Sequence, residues 1–337
     1  MAVDTSLAQA SNALVSSSML VYAAALAAYA VDLSGRGLGR RPESLEADRL
    51  RERAAVPVGA PPRGAAPPVP AEPAGPAVPA VRARRSRAGG IAVALTWLAF
   101  ALHAGAVVTR GLSAGRVPWG NMYEFSTTGA LVVTAVYLAV LLRRDVRYLG
   151  TFVVGPVLLT LGLAVAVLYT QAAQLVPALQ SFWLVIHVSV AFIASALLTL
   201  GFSTTVLQLV QSRRESARAA GREPRGGRFM DAVPSAVDLE RSAYRMHVVA
   251  FPLWTFTLIA GAIWAEAAWG RYWNWDPKEV WSFVVWVVYA GYLHARATRG
   301  WDGNRAAYLA LAGYGCLLFN FLGVNILFSG LHSYSGV

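Results

Sequence analysis

Eight runs of mostly apolar residues constrain this chain more than any other feature, falling at 13–31, 90–108, 124–142, 149–169, 182–210, 247–265, 280–295 and 306–328. Most are near the roughly 20 residues that a helix needs to cross a bilayer. In hydrocarbon the backbone must satisfy its own N–H and C=O groups, so such runs become helices. With 56% hydrophobic and 14% charged residues, a soluble globular domain is excluded. The sequence therefore predicts an all-α polytopic membrane protein of about eight transmembrane helices. The residues ahead of the first run carry Asp4 and no Lys or Arg, the reverse of a signal peptide's basic start, so that run reads as a span with its N-terminus outside.

Between the first two runs, residues 32–88 are rich in Arg, Pro, Ala and Gly and have no apolar periodicity, which predicts a disordered, basic cytoplasmic linker. Residues 211–245 read as a longer basic loop that could hold an interfacial helix. The formal charge of +11 would suit nucleic acid, but in a membrane protein it first reports orientation. With both termini extracytoplasmic, 25 of the 29 Lys and Arg residues fall in inside connections, leaving Arg110, Arg116, Arg271 and Lys278 outside. Orientation thus accounts for the basic balance, and no nucleic-acid partner is expected. The domain layout is a first helix (1–31), a linker (32–88) and a membrane domain (89–337).

Six of the eleven tryptophans lie in 264–286, WAEAAWGRYWNWDPKEVWSFVVW, interleaved with Arg271, Asp276, Lys278 and Glu279. Taken alone this could be an aromatic belt at the bilayer surface. The topology places two histidines at the same outer level: His187, roughly 8 Å into its span, and His332, just past the last span. His294 lies roughly 20 Å below the platform, where an ionisable group is costly in lipid and is expected to face the bundle interior as a functional group; the alternative is a helix-end histidine beside Arg296 and Arg299. His103 and His247 read as structural. Zinc would demand three or four ligands at close range, which the sequence does not supply. Haem needs one or two axial ligands, a flat apolar bed and partners for two propionates, which suits the pattern better. The sole cysteine, Cys316, lies in an apolar run, so disulfide chemistry by this chain alone is excluded. The sole lysine, Lys278, lies in the platform.

The run WGRYWNWDPKEVWSF closely resembles the tryptophan-rich "WWD" signature of haem-handling membrane proteins, in particular the CcsA/ResC-type subunit of System II cytochrome c biogenesis. PWGNMYEF (118–125), WLVIHVSVAFI (183–193), YLHARATRGW (292–301) and NILFSGLHSY (325–334) are similar to further stretches of that family. The resemblance implies that His187 and His332 ligate haem iron over the platform and that His294 holds haem in transit. It also implies a partner subunit of the ResB/CcsB type, location in a bacterial cytoplasmic membrane, and a haem site on the outer side. The implied activity is holocytochrome c synthesis: haem b crosses the membrane as substrate and is joined to CxxCH apocytochromes c. Trp269, Trp273, Trp275 and Trp281 would shape the bed, Arg271 and Lys278 would pair with propionates, with Arg110 and Arg116 as weaker candidates, and Asp276 and Glu279 would orient neighbouring groups. A thioredoxin-like reductant would be a further partner. A haem exporter without ligation activity, or a structural subunit, are the alternative readings.

Overall fold

The computed structural model of the chain describes residues 3–39, 86–224, 227–298 and 300–333. Eight long helices build it: α1 Thr5–Gly39, α2 Arg87–Ala114, α3 Met122–Arg143, α4 Gly150–Ala166, α5 Phe182–Ala219, α6 Ala236–Trp269, α7 Pro277–Thr298 and α8 Asn304–Leu318. The last continues through a π-helical turn, Phe319–Gly323, into α9, Val324–Leu327. There is no strand among the described residues. Most of the expected linker (40–85) lies outside the described residues, but its two ends are helical, because α1 runs on through Gly39 and α2 begins at Arg87.

Seven segments are long and apolar enough to cross a membrane; α7, the expected seventh span, falls short in composition. Its 22 residues nevertheless reach about 33 Å, enough to span. The connectivity supports a crossing. Asp4 N–H donates to the Ser113 carbonyl at the end of α2, Gln174 reaches the Ala114 carbonyl, and Leu331 N–H reaches Asp276. The first and last described segments therefore share the end that carries the platform, which an even number of crossings requires.

Local chemistry sets the helix ends. Ser86, Asn121, Ser181 and Ser235 each cap a helix by accepting a backbone N–H, and α2 and α6 stop at Gly115 and Gly270 in the left-handed conformation. The expected basic loop 211–245 is mostly helix: α5 continues to Ala219 and α6 starts at Ala236, leaving a short 3-10 turn, Arg228–Ala232, and no separate interfacial helix among the described residues. Ion pairs of Arg214 and Arg218 with Asp231 tie this turn to α5.

The helices form two packed groups that share α5. One core joins α1 to α4 around Tyr22, Tyr29, Tyr137, Leu149 and Leu161. The other joins α5 to α8 around Trp254, Val285, Tyr289 and Tyr314. A smaller cluster at the platform end packs Leu179, Leu184, Val188, Phe192 and Trp264 together.

Candidate functional site

The sequence DPKE opens α7, and its chemistry is that of a helix start. Asp276 precedes the helix and its Oδ1 accepts the Lys278 N–H at 3.1 Å, while Glu279 Oε2 reaches back to the Asp276 N–H at 3.2 Å. That is a reciprocal capping box with Pro277 in the first helical position, where its missing N–H costs nothing. Glu279 also accepts the Asn274 N–H at 2.8 Å and so fixes the turn that carries the tryptophans.

Asp276 has a second task. Its Oδ1 lies 2.8 Å from His332 Nδ1, and its Oδ2 accepts the Leu331 N–H at 2.6 Å. Burial works to raise the Asp276 carboxyl's pKa; the His332 hydrogen bond and charge, with the Lys278 and Leu331 backbone N–H groups, outweigh it and hold the group below the usual carboxylate range. A carboxylate accepts, so in the neutral ring the Nδ1 of His332 carries the proton and Nε2 keeps its lone pair.

His187, near the start of α5, is set the same way by a different partner. Its Nδ1 lies 2.8 Å from the Thr257 carbonyl on α6, and a carbonyl oxygen only accepts. One turn on, Gly261 gives the ring room: a Cβ there would meet His187 Cε1 at 2.8 Å. A further turn on, Trp264 stacks on the imidazole, centroids 5.9 Å apart. Thr257, Gly261 and Trp264 follow the i, i+4, i+7 spacing of one helix face. The same indole meets His332 edge-on at 5.4 Å, and Trp269 meets His332 at 4.9 Å. The two imidazoles are thus neighbours across one indole. Among the described residues neither Nε2 has a hydrogen-bond partner, and both rings are only partly buried. An anchored Nδ1–H with a free Nε2 is the arrangement of a metal-ligating histidine.

The remaining tryptophans sort into layers. Trp264 is 2% exposed and is held by its Nε1–H to the Ala178 carbonyl at 3.0 Å. Trp275 is 73% exposed and is the one non-glycine with positive φ (58°) among the described residues, a strained backbone that turns its indole outward. Trp273 packs edge-on against Trp275 and Phe283, and Phe283 stacks on Trp286. Trp281 packs on Phe319 in the seam between α7 and α8, away from this outward group.

The cations divide too. Arg271 is exposed beside the platform. Lys278 turns its ammonium inward to the Asn320 carbonyl at 2.7 Å. Arg110 and Arg116 are committed elsewhere: both bind Glu124, and they grip the Thr170 and Ala173 carbonyls of the segment leading to α5. They clamp structure and present no open cation.

His294 departs from expectation. It lies on the exposed face of α7 and not in the bundle interior. Tyr289 and Tyr292 take the inward positions, and two residues past Tyr292 is a rotation of about 200°. His103 and His247 are fully buried, and His103 Nε2 and both ring nitrogens of His247 lack a hydrogen-bond partner among the described residues. Trp264, Thr257 and Gly261 are the contributors that sequence reasoning did not single out. Their common helix face was visible in the spacing, whereas which ring they would hold was not.

Against known proteins, the family model described as cytochrome C assembly protein matches residues 119–332. A cytochrome c biogenesis protein CcsA of Synechococcus elongatus is 36% identical over 286 residues, covering 73% of this chain and 86% of that one. A CcsA of Guillardia theta is 38% identical over 242 residues, covering 67% and 79%. Among solved structures, the cytochrome c heme lyase CcmF matches with a TM-score of 0.58 at 15% identity; the match takes in 96% of this chain and about half (47%) of CcmF, and it shows a shared fold. On the strength of the matched span, which contains both anchored histidines and the whole platform, the chain belongs to the cytochrome c assembly protein family.

Proposed function

We propose that this chain is the haem-handling membrane subunit of a System II cytochrome c synthase, working in a bacterial cytoplasmic membrane with a ResB/CcsB-type partner. The observation that carries the reading is the pair His187 and His332, each pinned at Nδ1 and open at Nε2, beside one indole. In this reading both termini and the platform face the extracytoplasmic side. Haem b arrives as substrate from the cytoplasmic side, is held in transit by His294, and comes to rest between His187 and His332. Trp269, Trp273 and Trp275 supply apolar surface, and exposed Arg271 meets a propionate. The position of His294 on an exposed face suits a haem shared with a partner helix, because an imidazole facing bare lipid would be costly.

The chemistry follows from what the chain supplies and lacks. Each cysteine thiol of a CxxCH apocytochrome adds S–H across a haem vinyl C=C, a step that balances without added oxidant. The thiols belong to the apocytochrome, in keeping with the single Cys316 here, and a thioredoxin-like reductant would keep them reduced. His187 and His332 hold the macrocycle still, and the apocytochrome's own histidine then displaces one of them. Positioning is the protein's contribution.

The test is an absorption spectrum of the chain purified with its partner, followed by addition of apocytochrome. The expected result is a low-spin Soret band and covalent, thioether-linked product. Release of haem without covalent product would make the chain an exporter, and the absence of any Soret band would leave it a structural subunit.

A further inference from the structure

Lys278 is the one lysine among 29 basic residues. It sits in the first turn of α7, and its ammonium donates to the Asn320 carbonyl at 2.7 Å. That carbonyl belongs to the π-helical turn Phe319–Gly323. A π turn interrupts the ordinary ladder of backbone hydrogen bonds, which is why such turns recur at functional sites. Ser282 closes the bracket: its Oγ donates to the Lys278 carbonyl at 2.7 Å and accepts from Asn320 Nδ2 at 3.1 Å. Lys278 and His332 line one small cavity together with Asp276, and Lys278 lies within electrostatic reach of His187. The DPKE start of α7 thus places one carboxylate, Asp276, and one cation, Lys278, beside His332, with Glu279 in the same turn. Each carboxylate is already engaged, Asp276 with His332 and Glu279 with backbone N–H groups.

We propose that Lys278 is the electrostatic counter-charge for the haem iron: a half-buried ammonium that favours ferrous over ferric iron when His187 and His332 are its axial ligands. The inference rests on the haem reading above. A ferric bis-imidazole centre carries one more positive charge than a ferrous one, and a nearby cation penalises that charge more strongly outside bulk water. Without Lys278, the Asp276 carboxylate behind His332 would be the nearest side-chain charge in that cavity and would favour the ferric form. Asp276, not Lys278, orients His332, so charge and positioning are separable. Groups beyond the ligands commonly tune a metal in this way. The benefit is to keep the iron reduced while thiols add to the vinyls.

The experiment is redox potentiometry of the haem-loaded complex with its partner, comparing wild type, K278Q and K278R, with the low-spin spectrum as control for ligation. The expected result is an unchanged spectrum in K278Q, a midpoint potential shifted to a more negative value, and a return towards wild type in K278R. An unshifted K278Q potential with an intact spectrum overturns the proposal. Loss of the low-spin spectrum in K278Q also overturns it, since the lysine would then be a structural bracket. Should K278Q fail to accumulate, K278M, of similar length and apolar, takes its place, and failure of both again assigns a bracket. A wild-type complex with no Soret band would sink the haem reading itself, an outcome distinct from these.

Discussion

The two halves of the bundle treat their buried polar groups in opposite ways. In α1 to α4 those groups mostly satisfy one another: Tyr22 meets Thr134, Tyr137 meets Tyr29, Thr96 meets Tyr29, and Glu124 accepts from both Arg110 and Arg116. In α5 to α8 the key groups are satisfied on one side only, with His187 and His332 anchored at Nδ1 and open at Nε2. The histidines make the contrast plain. His103, in the first half, is held at Nδ1 by the Tyr22 hydroxyl at 3.4 Å, and its Nε2 is buried without a partner among the described residues, so what separates it from the other pair is access. His187 and His332 remain partly exposed at the platform end. A membrane interior rewards mutual satisfaction, so one-sided anchoring at an accessible position marks where the fold holds something other than itself.

The largest effect should come from breaking the self-satisfied half. Glu124→Ala leaves Arg110 and Arg116 buried without their carboxylate and should cost about 3–5 kcal/mol of stability, read as loss of folded protein in detergent melts. In the other half, His187→Ala or His332→Ala should abolish the low-spin Soret band and cytochrome c maturation while the protein still accumulates, with added imidazole restoring part of both. Full maturation in the double variant would remove the axial-ligand reading.

Gly261→Ala sharpens the contrast because it alters no ligand. Its Cβ would strike the His187 ring at 2.8 Å, so haem retention should fall sharply; at Gly291 a Cβ meets nothing within 4 Å, and G291A should leave the fold unchanged. Asp276→Asn should weaken haem retention about 10–100-fold, the usual consequence of losing a carboxylate behind a ligating histidine, measured by haem transfer to a competing apoprotein.

The smallest effect concerns acid. Asp276 titrates below its ordinary 3.8 in the folded protein, so the stability that it contributes is fully present above that value and is lost as pH falls through the lower folded value. Wild type should therefore keep the His332 anchor into mildly acidic solution. Asp276→Asn should lose the extra acid sensitivity below pH 3.8, as measured by the slope of melting temperature against pH.

Much of the candidate site was legible in the chain. DPKE is a helix-start signal written in consecutive residues, and the level of His187 and His332 follows from span length at 1.5 Å per residue. The failures share one physical cause, the angular position of a side chain. His294 was assigned to the interior from depth, but depth along a helix says nothing of rotation about it, and Tyr289 and Tyr292 already fill the inner face. Lys278 looked like an external handle because it sits among exposed tryptophans, yet its stem turns back to a carbonyl freed 42 residues later.

The sequence by itself determined the class and most of the spans, because hydropathy is decided by neighbours within a few residues. Only the tertiary structure decided that Thr257, Gly261 and Trp264 would cradle His187, that Asp276 would serve both α7 and His332, and that a π turn would receive Lys278. Those contacts join helices far apart in the chain, and their geometry exists only once the helices have packed.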